Sequence, residues 1–421
     1  MRPKQDHSAN PILIMKCKWL VDGKCEIVHR LSGQHVEPHH TACTACSNQG
    51  LPQAENFVTG HLAFGALTKA KQAVPRKVIT LAQLDQVSEA DLVPSTIPQV
   101  GSVLKEKFAA YKKPRGDCGC MKDLREMNLQ GVAGVMERLD EWTERIAKKT
   151  KWFVRPLAKT IIRSKIQEAI DACRMSVVWV YWAGGADGDE LRYSIRSAAA
   201  NLTDARDFHI CGDVPEWFTG GAIHSPRFNG NDARRKYGSK RFAKWCDSVV
   251  KLKRICEDDA VSENFLWMYD DTFIVRPFSI REISIPRAGG VLHAGDLNQP
   301  AKRKWREVLR RTAKDLVDRG RPQRNYSTHY PVVYNKTLLR QTLEEFDVPQ
   351  CPRVIESLYM NHHSEIEARR ALEVFQYRKQ VQAGWMWRDD VSVVNVGGFN
   401  SHVQRLVQPR FGETCRWESA V

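Results

Sequence analysis

The sequence contains no apolar run long enough to cross a membrane. A membrane-spanning helix needs about 20 consecutive apolar residues, whereas the longest strongly apolar stretch here, residues 177–183, stops at Gly184. The apolar run nearest the N-terminus, residues 11–15, is too short for the apolar region of a secretory signal peptide. We therefore expect a soluble, cytoplasmic protein.

Signatures of the common nucleic-acid-binding folds are also missing. The chain has no regular zinc-finger spacing, no helix-turn-helix signature and no aromatic motif of the kind found in RNA-recognition domains. It does have an excess of positive charge, because 64 Lys and Arg residues outnumber 49 Asp and Glu residues and leave a formal net charge of +15. Such a charge suggests an anionic partner: nucleic acid, an acidic membrane surface or a phosphate-bearing substrate.

The composition excludes a wholly disordered chain, a collagen and a coiled-coil rod, because 42% hydrophobic and 27% charged residues are close to the globular average. At roughly 150 residues per domain, a chain of 421 residues predicts two or three domains. We divide it into a Cys- and His-rich module (residues 1–110), a basic helical connector (111–172) and an α/β domain with a C-terminal extension (173–421).

Four cysteines of the first module have the spacing of a candidate zinc site. The pattern is C-x7-C-x17-C-x2-C, formed by Cys17, Cys25, Cys43 and Cys46. Four thiolates can close a tetrahedral structural Zn2+ site, and the C-x2-C half lets two sulfurs reach one ion from a tight turn. The looser first half leaves two alternatives open, an iron–sulfur cluster and cysteines without a metal. Three histidines between the two halves could each replace a ligand: His35, His39 and His40.

The connector has a helical period. Apolar residues at 132, 135, 136, 139, 142 and 146 lie on one face of an α-helix, and basic residues surround them. We interpret the segment as helices that pack on a neighbour and expose a solvated basic face. The alternative is a helix that binds RNA or a membrane surface.

From residue 173 the pattern alternates short apolar strands with amphipathic helices. Strands are predicted at 176–182, 208–211 and 265–269, and helices at 189–201 and 236–256. This alternation predicts an α/β fold with a mostly parallel sheet covered by helices on both faces. Ligands of such folds bind at the carboxyl ends of the strands, which is where Asp270 and Asp271 fall.

Asp270 and Asp271 therefore form a candidate metal site. Carboxylates at the end of an apolar strand are costly to bury unless they meet a cation. Mg2+ and Mn2+ prefer oxygen ligands and share them with phosphates, so a metal bridging a substrate diphosphate would neutralise both. The alternative is an acidic turn or a helix cap.

Four segments, in order, resemble a known family. Residues 189–197 read DELRYSIRS, 211–218 read CGDVPEWF, 262–273 read SENFLWMYDDTF, and 325–336 read NYSTHYPVVYNK. Together they resemble conserved blocks of bacterial and phage-encoded sugar transferases related to the Stealth family of capsule sugar-phosphate transferases. The resemblance covers residues 174–365. Two features depart from the family pattern: the first strand carries no acidic residue, and Tyr269 stands where the family has Asn before the paired Asp.

The resemblance implies a GT-A-like fold and the metal-dependent transfer of a sugar or sugar phosphate. The donor would be a nucleotide-sugar, and the acceptor would be a glycan or another envelope component. If the chain is phage-encoded, the transfer would take place in the host cell. Asp270 and Asp271 would hold Mn2+ or Mg2+, and Asp271 would be catalytic. Asp213, just after the second strand, would contact the ribose or base.

Three further residues, Arg192, Arg196 and His329, each have a functional and a structural interpretation. Arg192 and Arg196 are four residues apart on one helix face and could approach a donor phosphate, or they could pack and form a salt bridge with Glu190 or a neighbour. His329 is a candidate general base or phosphate contact, or else a structural histidine.

One hypothesis from another class competes with the transferase. The +15 charge and the cysteine cluster would also suit a zinc-containing, basic nucleic-acid-binding protein whose α/β domain is catalytically silent. Such a protein would bind DNA or RNA with a strong dependence on salt. We favour the transferase because the nucleic-acid-binding signatures are missing.

Overall fold

The structure is a computed structural model, and it describes residues 20–21, 24–25, 96–109, 120–149, 155–186, 188–237, 243–292, 303–346, 348, 353–364, 368–370 and 381–419. Near the N-terminus it places the short antiparallel pair β1 (Leu20–Val21) and β2 (Lys24–Cys25). Cys17, Cys43 and Cys46 lie outside the described residues, as does the side chain of Cys25. The predicted zinc site therefore stays a prediction.

The predicted connector (111–172) is part of a larger unit of four helices with its own core, which begins at Val100 and is called the connector from here on. They are α1 (Val100–Ala109), α2 (Cys120–Glu137), α3 (Leu139–Ala147) and α4 (Arg155–Cys173). Leu104, Met127 and Trp142 are buried between them. The apolar face predicted across residues 132–146 is divided between α2 and α3, because the backbone leaves helical geometry at Arg138 (φ −107°, ψ 23°).

The α/β domain is built on one five-stranded sheet in the order β5-β4-β3-β6-β9. Its strands are β3 (Met175–Tyr181), β4 (Ala205–Gly212), β5 (Gly221–His224), β6 (Asn264–Met268) and β9 (Val332–Asn335). Strands β5, β4, β3 and β6 are parallel, and β9 is antiparallel to β6. The prediction of an α/β fold with a mostly parallel sheet is confirmed.

Helices cover both faces of this sheet. Those of the domain are α5 (Glu190–Asn201), α6 (Gly230–Tyr237), α7 (Ala243–Glu257), α8 (Ile280–Ile283), α9 (Arg303–Asp318), α10 (Lys336–Glu345), α11 (Ile355–His363), α12 (Ala383–Met386) and α13 (Ser401–Phe411). Along β3, Val178 packs into one core with α7, α9, α10 and α11, while Val177 and Trp179 pack into another with α5. Alternate strand residues point to opposite faces, so a strand that is apolar throughout can fill both cores.

Short strands extend the domain beyond the main sheet. They are β7 (Thr272–Ile274), β8 (Arg287–Ala288), β10 (Arg369–Arg370) and β11 (Val393–Asn395). β7 pairs with β11 in antiparallel register and β8 pairs with β10 in parallel. A third core, which includes Phe273, Phe399 and Val403, joins β7 to α13. The C-terminal extension thereby packs against β7, the strand that begins directly after Asp271.

None of the helices in the described part of the chain is both long and apolar enough to span a bilayer.

Candidate functional site

The candidate site lies at the carboxyl ends of β3, β4 and β6. The chain runs from β3 to β4 and β5 on one side, then returns to β6 on the other side of β3. At such a reversal the connections leave in opposite directions, and a crevice opens between the two strand ends. Here the crevice is bounded by the segments that follow Tyr181 and Met268. Because β9 is antiparallel, His329 and Tyr330 approach it at the same edge.

Asp270 and Asp271 lie half-buried in this crevice, directly after β6. The side-chain amide of Asn395 donates from Nδ2 to Oδ1 of Asp271 at 2.6 Å and to Thr272 Oγ1 at 2.8 Å. The backbone N–H of Val396 donates to the Asp271 carbonyl at 3.1 Å. The end of β11 therefore fixes one oxygen of the Asp271 carboxylate and leaves Oδ2 outside this bond.

Several acidic side chains lie around the hydroxyl group of Tyr181. Burial raises the pKa of Tyr181 at the end of β3, and the carboxylates of Asp270, Glu190 and Asp213 raise it further. These carboxylates place negative charge around the hydroxyl group, and negative charge favours a bound cation. Within the described ranges, no three His, Cys, Asp or Glu side chains form a group that could hold a metal ion by itself. A divalent ion on Asp270 and Asp271 would therefore complete its coordination with oxygens from a ligand.

His329 reaches the crevice from an unusual backbone conformation. It is exposed, and its φ of 56° makes it the one non-glycine residue with positive φ in the described ranges. Such strain persists only where the surroundings hold it, and it is frequent at functional sites. The His329 ring packs against Tyr269, with 5.4 Å between the ring centroids. The structure thus brings His329 to the residue that precedes the paired carboxylates.

Tyr269 is hydrogen-bonded to Glu356, at the start of α11. The Tyr269 hydroxyl donates to Glu356 Oε1 at 2.7 Å. Burial, together with the Glu356 carboxylate, raises the pKa of Tyr269 well above its ordinary value. The hydroxyl of Tyr269 thereby links the residue before the paired carboxylates to α11, 87 residues further along the chain.

Asp213 lies in the same edge and holds the loop after β3. Its Oδ2 accepts a hydrogen bond from the backbone N–H of Ala183 at 2.9 Å, and its own N–H donates to the Tyr181 carbonyl at 3.2 Å. One carboxylate oxygen is thereby engaged in positioning the loop.

Arg196 lies in a network with the C-terminal segment. Its Nε and Nη2 donate to the two oxygens of Glu418 at 2.7 and 2.8 Å. Its Nη1 donates to the carbonyls of Phe411 and Gly412 at 3.3 and 2.9 Å. With 9% of the side chain exposed, every nitrogen of the guanidinium is bonded inside the protein. Of the two readings of Arg196, the structure shows the salt bridge, with Glu418 in place of Glu190.

Arg192 contacts the same carboxylate less closely. Its Nε lies 3.4 Å from Glu418 Oε2, and its guanidinium lies over the ring of Trp217, 4.6 Å from the centroid. The side chain is 24% exposed. The structure therefore brings Asp270, Asp271, Asp213 and His329 to one edge of the sheet, whereas Arg196 faces the C-terminal segment.

Sequence reasoning missed two groups at this edge. Trp182 follows β3, and the guanidinium of Arg227 lies over its ring. Lys251, on α7, is 1% exposed; its Nζ donates to Asp247 Oδ2 at 2.8 Å, and Oδ1 of Asp247 accepts from the N–H of Phe228. The ion pair thus ties α7 to the loop that carries Arg227. A lysine at i+4 from an aspartate was the one sequence signal, and it is too common to identify a site.

A scan against models of known protein families finds none that matches the chain. A search of curated proteins likewise finds no match.

Proposed function

We propose that the protein transfers a sugar, or a sugar phosphate, from a nucleotide-sugar donor to a glycan or other envelope acceptor, with Mn2+ or Mg2+ as cofactor. The observation that carries this proposal is the pair Asp270 and Asp271 at the strand-order reversal, with Asp271 oriented by Asn395. The mostly parallel sheet flanked by helices is compatible with the GT-A-like fold that the resemblance implies.

Asp270 and Asp271 would hold the divalent ion, which neutralises the charge that develops on the leaving phosphate. The fit rests on chemistry: carboxylate oxygens are ligands that both ions accept, and Oδ2 of Asp271 lies outside the bond to Asn395. Because the described acids do not close a metal site on their own, the donor diphosphate would supply the remaining oxygens. Metal and donor would then bind together.

His329 would act on the acceptor. An exposed imidazole with a free lone pair can take the proton of an attacking hydroxyl group. Its position on Tyr269, beside the paired carboxylates, supports this role. Asp213 would contact the ribose or base from the end of β4. Arg196 has no part in the proposal, because its guanidinium is fully bonded to Glu418 and two carbonyls.

The nucleic-acid hypothesis gains no support from the connector, because many of its basic side chains are paired with acids of the same unit. Lys149 and Arg145 both contact Asp123, which is buried. Similar pairs join Lys159 to Glu144, Arg163 to Asp140 and Lys165 to Glu168. Much of the positive charge in this segment is therefore balanced locally.

The experiment is an incubation of the full-length chain with a panel of nucleotide-sugars, with Mn2+, with Mg2+ and with a chelator. Release of a nucleoside diphosphate would indicate sugar transfer, and release of a nucleoside monophosphate would indicate sugar-phosphate transfer. We expect metal-dependent release that Asp271→Asn abolishes and Asp171→Asn, at an exposed position on α4, leaves unchanged. Full activity of a folded Asp271→Asn variant would refute the metal assignment, and salt-dependent binding of DNA or RNA without any release would favour the alternative.

A further inference from the structure

A second cavity lies at the opposite end of the sheet from Asp270. It has a volume of about 330 Å³, is partly open to solvent, and lies between the helical connector and the α/β domain. Its walls come from the start of α1, the middle of α2, the first residue of β3, the turn before β4, and α8. This volume is at the lower end of the roughly 300–1,000 Å³ typical of small-molecule sites.

The cavity lies beside a kink in α2. Gly131 has φ 66° and ψ −171°, which a helix cannot contain, so the two halves of α2 diverge there. No described atom lies within 4 Å of where a Cβ at Gly131 would be. Ile97, Val132 and Met175 contribute apolar surface around this opening. An apolar wall of this kind favours the hydrocarbon part of a ligand.

The polar part of the cavity is a buried carboxylate without a cation. Asp204 is 5% exposed, and its Oδ1 accepts a hydrogen bond from the N–H of Ile280 at 2.7 Å. Burial raises the pKa of Asp204 to about 6, although backbone N–H groups of α8 partly offset it. The other groups that act on Asp204 are backbone N–H groups and the Glu282 carboxylate, and no cationic side chain of the described ranges is among them. A buried negative charge of this kind is stabilised by any cation that reaches it.

A second acid strengthens the negative field. Glu282 also lines the cavity, and its Oε2 accepts from the N–H and the hydroxyl of Ser279 at 2.8 and 2.7 Å. The one arginine in the lining, Arg281, donates from Nη1 to the carbonyl of Asn128. That bond joins α8 to the connector. The hydrogen bonds that these two carboxylates receive from the described part of the chain come from neutral groups.

We propose that this cavity binds a small organic cation with an apolar body, such as a primary ammonium ion, with its charged end at Asp204 and its hydrocarbon part against Ile97 and Met175. The site is separate from the proposed transferase site and does not depend on the transferase activity. Because the ligand would contact both the connector and the α/β domain, it would also stabilise their junction.

The test uses benzylammonium and benzyl alcohol, which have the same shape and differ in charge, with binding to the full-length chain followed by ligand-detected NMR at pH 7.5. We expect dissociation constants for benzylammonium of about 1–10 mM, the range of small fragments, and at least tenfold weaker binding of the alcohol. Asp204→Asn should also weaken benzylammonium at least tenfold, because the amide oxygen keeps the bond from Ile280 but loses the charge. Asp171→Asn, on the exposed face of α4, should bind as wild type does.

Equal binding of the amine and the alcohol, or unchanged binding to Asp204→Asn, would overturn the proposal, as would no binding of either probe. If Asp204→Asn does not fold, Ala133→Leu, which places a larger side chain in the cavity wall, replaces it; it should abolish binding of both probes, and retained binding would place them elsewhere. Neither result depends on nucleotide-sugar chemistry, so the two proposals can fail separately.

Discussion

The buried ion pair between Arg196 and Glu418 should dominate the stability of the C-terminal segment. The two side chains are 9% and 2% exposed, and both oxygens of Glu418 accept from the guanidinium. Removing one partner of a buried pair strands the other charge in a poorly solvated position, which costs about 3–5 kcal/mol. We therefore expect Glu418→Gln to lower the free energy of unfolding by about that amount, since Gln keeps the shape but not the charge.

The assay is urea unfolding followed by tryptophan fluorescence and by far-UV circular dichroism. Trp417 stacks on Phe208 with 5.1 Å between ring centroids, so fluorescence reports the release of the C-terminal segment as well as global unfolding. Glu413→Gln is the matched control, because Glu413 is exposed five residues away. The double variant Arg196→Met with Glu418→Gln should be more stable than the sum of the single losses predicts, because position 196 no longer carries a buried charge that lacks its partner.

The pair also predicts a pH dependence. Burial alone would raise the pKa of Glu418, but hydrogen bonds from Arg196 and from the N–H of Cys415 lower it below its ordinary value. A carboxylate with a lowered pKa in the folded state adds stability above its unfolded pKa, and this stability is lost as the pH falls through the folded value.

A loss below about 1 kcal/mol for Glu418→Gln, the size expected of a surface pair, or strict additivity in the double variant, would refute the assignment of a buried ion pair.

Three further predictions concern the stability of residues that support the candidate site and the cavity. Gly212→Ala should lower the free energy of unfolding by about 1–3 kcal/mol, because Gly212 has φ 126° and an added Cβ would lie 2.1 Å from the Tyr181 carbonyl oxygen. Gly384→Ala, where no described atom lies within 4 Å, should lower it little in the same urea unfolding, and equal losses would refute the steric cause. Lys251→Met should cost about 3–5 kcal/mol by leaving Asp247 buried without its cation, and a loss below about 1 kcal/mol would contradict a buried charge there. Burial raises the pKa of Asp204 from its ordinary 3.8 to about 6. The free energy of unfolding should therefore rise by up to about 3 kcal/mol as the pH falls from about 6 to about 4. Asp204→Asn should remove that rise, and a variant with the same pH profile as the wild type would contradict the prediction.

The sheet could be predicted from the sequence because its signals are local. The strand at 176–182 is rich in β-branched and aromatic residues, and the paired Asp end a second apolar run. Both strands and the position of Asp270 therefore follow from residue type and strand-end geometry. The observed strands β3 and β6 agree with these predictions to within one residue at each end.

What could not be predicted depends on contacts between distant parts of the chain. Glu418 is 222 residues from Arg196 and Asn395 is 124 residues from Asp271, and no single-sequence pattern pairs residues at such separations. The cavity at Gly131 was missed for another reason: a glycine inside a helical pattern is often tolerated without a kink. His329 was chosen from a motif, whereas its strained backbone is visible only in the fold.

The most direct test of the proposed function measures thermal stability of the wild type and Asp271→Asn with nucleotide-diphosphate sugars, each with and without Mn2+. We predict that one nucleotide class raises the melting temperature of the wild type only when Mn2+ is present, and that Asp271→Asn loses this effect while melting normally without ligand. Stabilisation that is independent of the metal, or that persists in Asp271→Asn, would contradict a metal and diphosphate site at Asp270 and Asp271.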